Sequence, residues 1–162
     1  MKFQRFDTAQ VPELMSWFAD AAALRTWGGP DLRFPFTAAS FREDSRVDSI
    51  DSFALVSEGG SVTAFGQCYL RVGRCHFGRV GVSPRWRGQG LGTRLFREMA
   101  DWGLAEFGPR ELSLFVDKTN TDARRLYLRL GFRAVQYPEA MPPGMDVHYM
   151  IATRLLDPGA AQ

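Results

Sequence analysis

Apolar residues recur along this chain with two periods, about 3.6 and 2, and the change from one to the other marks its elements. Lys2 to Phe6 alternates as a first strand. Val11, Leu14, Met15 and Phe18 stand at i, i+3, i+4 and i+7, which predicts a helix through about Asp20, with Asp7 as cap and Gln10 at the capping-box position. The stretch from Thr26 to Phe36 is rich in glycine, proline and aromatics and is expected to be a loop folded back on the core. A short helix follows from Thr37 to about Arg46. Phe53–Ser57 and Val62–Arg71 flank the turn Glu58-Gly59-Gly60 as a hairpin, and a turn at Gly73 leads into an antiparallel strand, Cys75–Val82.

The second half alternates helix and strand. Leu91, Leu95, Met99 and Trp102 make one apolar stripe on a helix that Gly108-Pro109 should stop. Glu111–Val116 is nearly all apolar, a strand buried on both faces, and the helix before it makes it a parallel neighbour of Cys75–Val82. Asn120, Thr121 and Asp122 offer caps for a helix with Ala123, Leu126, Tyr127 and Leu130 on one face, ended by Gly131. Phe132–Tyr137 and Val147–Arg154 are the last strands. The order β-α-α-β-β-β-α-β-α-β-β is that of a mixed α/β chain around one mostly antiparallel sheet flanked by helices. Residues 1–156 are expected to form one domain, with 157–162 as a frayed tail.

Composition changes this picture little. The chain has 162 residues, 45% apolar and 23% charged, and a net charge of +2, too small and too dispersed to argue for nucleic acid. No apolar run approaches ~18 residues, so no membrane span is expected, and a first stretch without a signal-like apolar segment makes the cytoplasm the default location. The two cysteines, Cys68 and Cys75, lack metal-site spacing and are expected as small buried apolar residues; no metal is expected.

The chemistry gathers between Val80 and Gly92. A strand ending at Val82 enters a loop with Gly88, Gly90 and Gly92, and a helix starts behind it. Glycines let a ligand come close to the backbone, and the first amides of a helix lack intrahelical partners, so the stretch is a candidate anion cradle as well as a turn. Arg85, Arg87 and Arg94 add positive charge. The spacing is G-x-G-x-G, neither the G-x-G-x-x-G of dinucleotide sites nor a nucleotide phosphate loop.

Arg87-x-x-Gly90-x-Gly92 between strand and helix resembles the acyl-CoA loop of the GCN5-related N-acetyltransferases (GNAT). A second block, Asn120-x-x-Ala123-x-x-Leu126-Tyr127-x-x-x-Gly131-Phe132, resembles another motif of that family in register. The resemblance implies that acetyl-CoA is the acyl donor. It places the pyrophosphate on the amides of Gly88, Gln89, Gly90, Leu91 and Gly92, with Arg87 at the family's Arg/Gln position that begins the loop. The pantetheine arm would lie along Val80, Gly81 and Val82, with Asn120 bonding that arm or fixing its helix. It further implies that Cys75–Val82 splays from its parallel neighbour and that a main-chain N–H near Val80 polarises the thioester carbonyl. Tyr127 falls at the position of the general acid. No glutamate stands where many members carry their base. His76 is close to it, and strand alternation would put His76 on one face with Gly78, Val80 and Val82; Asp117 and Asp31 are other candidate bases.

The expected activity is direct acetyl transfer to a primary amine. Trp17, Trp27, Phe34 and Phe36 are candidate walls of an acceptor pocket, and Asp31, Glu43 and Asp44 are groups that can meet a cation. A small amine or amino-acid derivative is preferred to a protein N-terminus or lysine. A sensor that binds acyl-CoA without turnover, and a transferase for another acyl-CoA, are the alternatives. The family also suggests a homodimer.

Overall fold

The computed structural model describes residues 1–108 and 110–157. Five helices and seven strands run β1 (Lys2–Arg5), α1 (Val11–Met15), α2 (Ala21–Gly28), α3 (Ala38–Ser45), β2 (Ser52–Val56), β3 (Val62–Arg71), β4 (Arg74–Val82), α4 (Leu91–Phe107), β5 (Leu112–Asp117), α5 (Thr121–Arg129), β6 (Arg133–Val135) and β7 (Val147–Ala152). The strands form one sheet in the order β1-β2-β3-β4-β5-β7-β6. Every adjacent pair is antiparallel except β4 and β5. The stop assigned to Gly108-Pro109 acts at Gly108, whose φ is +81°. Pro109 and the tail beyond residue 157 lie outside the described residues.

The first helix is shorter than its apolar period. α1 ends at Met15, and the chain continues through i→i+3 bonds from Trp17 N–H to Leu14 and from Phe18 N–H to Met15. Asp20 then begins a helix rather than ending one: its carboxylate accepts from Ala23 N–H and caps α2, where a loop was expected. Trp27 therefore sits on a helix. It stacks on Phe41 at 5.9 Å and packs against Phe18 and Phe65, while Phe34 stays exposed. Gln10 does not close a capping box with Asp7; its amide donates to the carbonyl of Gly60.

Two cores lie on the two faces of the sheet. α4 and α5 cover one, with Leu95, Phe96 and Met99 fully buried beneath them. The first three helices cover the other, around Phe41 and Phe65. α4 packs tightly on the sheet at Gly103. A Cβ there would stand 2.5 Å from the sulfur of Cys75 and 3.0 Å from that of Cys68. Both cysteines are buried free thiols with sulfurs 3.2 Å apart, so neither can yield. Gly103→Val is expected to cost at least about 2 kcal/mol by overpacking, read as a lowered midpoint in urea unfolding.

β4 carries the break that shapes the site. Gly78 pairs with Gln67 and Gly81 with Phe65, so Arg79 and Val80 together oppose Gly66 in a β-bulge. Arg79 takes a φ of +49°, rare for a side chain of its size. On the other side, parallel pairing with β5 covers only Cys75–Phe77 against Leu112–Leu114. Beyond Phe77 the bent strand leaves its neighbour and the sheet splits.

Candidate active site

The glycine loop arrives at the split from β4 through a turn at Pro84–Trp86. Gly88 and Gly90 have φ of +75° and +74°, and a Cβ on either would meet only open space. Gly90 is the N-cap of α4 and has no side chain to satisfy the first turn. The amides of Arg87, Gly88, Gln89 and Gly90 donate to no backbone carbonyl among the described residues. With the free first-turn amides of a 17-residue helix, they form a concave set of donors at the positive end of a dipole. That set suits a pyrophosphate.

A cavity of about 1100 Å³ runs from this loop into the split. Val80, Gly81, Val82, Arg87, Gly88, Gly90, Leu91, Gly92, Asn120 and Tyr127, all named from the sequence, line it. Gln89 does not; it stays exposed on the loop's outer side. The β5-facing edge of Gly78–Val82 pairs with no strand, so its peptide groups are open to an extended ligand. Asn120 caps α5, accepting from Ala123 N–H at 3.3 Å. The concave amide donors of the loop, the open strand edge and a cavity joining them suit coenzyme A.

The cationic side chains differ from those expected. Arg94 is turned away, bonding the carbonyl of Met1 and meeting Glu98. Arg85 lines neither this cavity nor its neighbour. Arg87 does, joined by Arg125 and Arg129, which α5 presents one turn apart. Their i, i+4 spacing was the available signal. Trp17, between α1 and α2, and Ala22 and Ala23 of α2 also reach this cavity.

Tyr127 lies on α5 with 8% of its surface exposed, its ring edge-on to Phe96 at 5.2 Å. Burial pushes its phenol well above the ordinary range, so it keeps its proton.

A second cavity, of about 870 Å³, lies beyond the split. It shares Thr26, Trp27, Phe77, Arg79, Phe115 and Asp117 with the first, so the two meet at the bulge. His76 borders only this second one. The bulge at Arg79 resets the alternation of β4: Val80 and Val82 pack with the α4 core, whereas His76 lies between Tyr69 and Phe115 on the opposite face. The shared face expected for His76, Val80 and Val82 is thereby corrected. His76 Nδ1 is 2.9 Å from the hydroxyl of Ser113, its register partner, and the residue is 1% exposed. Burial, aided by the charge of Arg71, pushes its pKa down to about 3. Asp31, Glu43 and Asp44 line the same cavity, with Asp44 and Glu43 bonded to Arg33.

A sequence model of the Acetyltransferase (GNAT) family matches residues 13–132. The chain belongs to the GNAT family. Among curated GNAT relatives, it is 39% identical over 51 residues to spermidine N(1)-acetyltransferase of Escherichia coli K12, covering 32% of this chain and 27% of that protein. It is 25% identical over 99 residues to the putative [ribosomal protein bS18]-alanine N-acetyltransferase of Bacillus subtilis, covering 61% and 65%. The matched region thus spans less than two thirds of either relative's length. Its fold resembles that of AAC(6')-Ib solved in complex with paromomycin and acetyl-CoA, with a TM-score of 0.73, 19% identity and coverage of 94% and 93%. It also resembles the PaiA N-acetyltransferase of Thermoplasma acidophilum bound to coenzyme A, with a TM-score of 0.66, 14% identity and coverage of 93% and 97%. Among the described residues, no group of three or more His, Cys, Asp or Glu side chains is arranged to hold a metal ion and no helix is long and apolar enough to cross a membrane.

Proposed function

We propose that this protein transfers the acetyl group of acetyl-CoA to the primary amine of a small acceptor. The observation that carries this reading is the meeting of two cavities at the split in the sheet, one with an anion cradle and Tyr127, the other with mixed polar and aromatic walls. Acetyl-CoA would enter the first and the amine the second, so that nitrogen and thioester carbon face each other at the shared wall around Arg79 and Phe115. The names of the two curated relatives, a spermidine and an alanine N-acetyltransferase, are consistent with an amine acceptor.

Transfer is direct in this scheme. Cys68 and Cys75 are fully buried beneath α4 and line neither cavity, so they are not candidates for an acyl carrier. The amine attacks as its neutral form. The N–C bond forms, the C–S bond breaks, the sulfur takes a proton from Tyr127, the proton lost from nitrogen leaves for solvent, and solvent returns a proton to the Tyr127 phenolate. Backbone N–H groups at the bulge stabilise the oxyanion on the carbonyl. The base is the open assignment. With a pKa near 3 and no access to solvent, His76 is a weak proton acceptor as placed. Water in the second cavity, backed by Asp117 or Asp31 on its walls, is the favoured route.

The test is release of CoA thiol from acetyl-CoA in the presence of amino acids, polyamines, aminoglycosides and short peptides. Acceptor-dependent release is the expected result. Binding of acetyl-CoA without release for any acceptor would point to a sensor or another acyl donor. Absence of binding would overturn the reading of the glycine loop.

A further inference from the structure

The arginines and the six carboxylates around the second cavity are not paired with one another. Four arginines line it, Arg25, Arg46, Arg71 and Arg79, and none has a carboxylate within 4.0 Å among the described residues. Their bonds go to neutral groups. Arg25 donates to the carbonyl of Gly144, Arg71 to the hydroxyl of Tyr137, and Arg79 to the side-chain carbonyl of Gln67 at 2.9 Å and, at longer range, to the main-chain carbonyls of Ser45 and Asp44. The carboxylates of the same wall are mostly taken by cations outside it. Arg33 holds Asp44 and Glu43, Arg5 holds Asp51, and Lys118 holds Asp146. Asp31 and Asp117 remain, the second accepting from the amide and hydroxyl of Thr119.

Arg79 stands at the centre of this arrangement. It occupies the bulge itself, one residue before Val80, and lines both cavities where they meet. Its Nε is buried without any hydrogen-bond partner. Burial and the nearby charge of Arg46 both disfavour its charged form, while Asp31 and Asp44 offset them in part. A desolvated guanidinium without a counter-ion is costly, and an anionic ligand relieves that cost.

Resting on the acetyltransferase reading, we infer that the acceptor is an amino-carboxylate, whose carboxylate is received by Arg79 beside the reaction centre while Asp31 and Asp117 face its amine. Tyr69, Phe115 and Trp27 supply apolar surface for the rest of such a molecule. Spermidine, named for one relative, carries only positive charge and would leave Arg79 without an anionic partner.

The test uses leucine, methionine, phenylalanine and glutamate, each against its amide and its decarboxylated amine, with spermidine as a further acceptor. Both turnover and calorimetric binding to the CoA-saturated protein are measured. At least one free acid is expected to exceed its amide and amine by about 10²-fold in kcat/KM or affinity, the scale of leaving a built polar group unpaired. Arg79→Gln is expected to reduce that preference to near unity, and Arg79→Lys to restore it in part. The wild-type ratios test the idea even if the variants fold poorly. Amides, amines or spermidine equal to or better than the acids would overturn it, as would a preference unchanged in a folded Arg79→Gln protein. Silence of every acid in both assays, with CoA bound, also overturns it but leaves acetyl transfer standing. Failure to bind CoA overturns the acetyltransferase reading instead.

Discussion

Tyr127→Phe is expected to lower kcat by about 10²-fold and to leave acetyl-CoA binding intact. The substitution removes one oxygen from a ring whose packing against Phe96 and Phe132 is otherwise kept. The hydroxyl lies in the cavity that holds the glycine cradle, and only burial shifts its phenol, upward. A phenol in that state keeps its proton throughout the neutral range, so it is ready to donate to a departing sulfur. The sign also fixes the pH dependence. Deprotonation of Tyr127 falls above its ordinary value near 10, so any loss of rate between pH 8 and 9.5 must have another origin. Steady-state rates and calorimetric titration of CoA check both halves. A kcat within threefold of wild type would remove Tyr127 from the mechanism.

His76→Gln is expected to weaken the dependence of stability on acid. In the folded chain the imidazole is held neutral, with a pKa of about 3, against an ordinary value of 6.5. Between those two values the unfolded chain binds a proton that the folded chain refuses. Stability is therefore whole above about pH 6.5 and is lost as pH falls toward 3, at up to about 1.4 kcal/mol per pH unit. Glutamine can keep a hydrogen bond to Ser113 and has no proton to gain. The variant starts less stable at pH 7 and then loses less on acidification, which urea unfolding at pH 7, 6, 5 and 4.5 would measure. Equal slopes in the two proteins would mean that the imidazole is charged or solvated in the folded state. The same variant bears on the base: an acidic limb of the rate profile that survives in His76→Gln assigns proton removal elsewhere.

Much of the fold was legible because local signals agreed. The stripes of α4 and α5, the cap at Asn120, the C-terminal glycine at 131 and the apolar run of β5 each point one way, and together they place the cradle and Tyr127. α2 was hidden because Trp17 and Phe18 keep facing the core after the backbone has left the α-helix, so the apolar period runs on past its end. The bulge was hidden because Val80-Gly81-Val82 alternates perfectly on either side of a reset. That reset carried His76 to the opposite face. The unpaired arginines could not be seen at all: positions 25, 46, 71 and 79 belong to different elements, and their lack of carboxylate partners is a property of three dimensions.

The meeting of the two cavities at Arg79 has a consequence for traffic through the molecule. The two cavities share six residues at the bulge and otherwise have separate linings. On the proposed activity both reactants would be aboard together at the shared wall, each approaching it along its own lining. A protein so arranged would operate as a junction with two approaches, and a crowd of one reactant on its own side would leave the other side open.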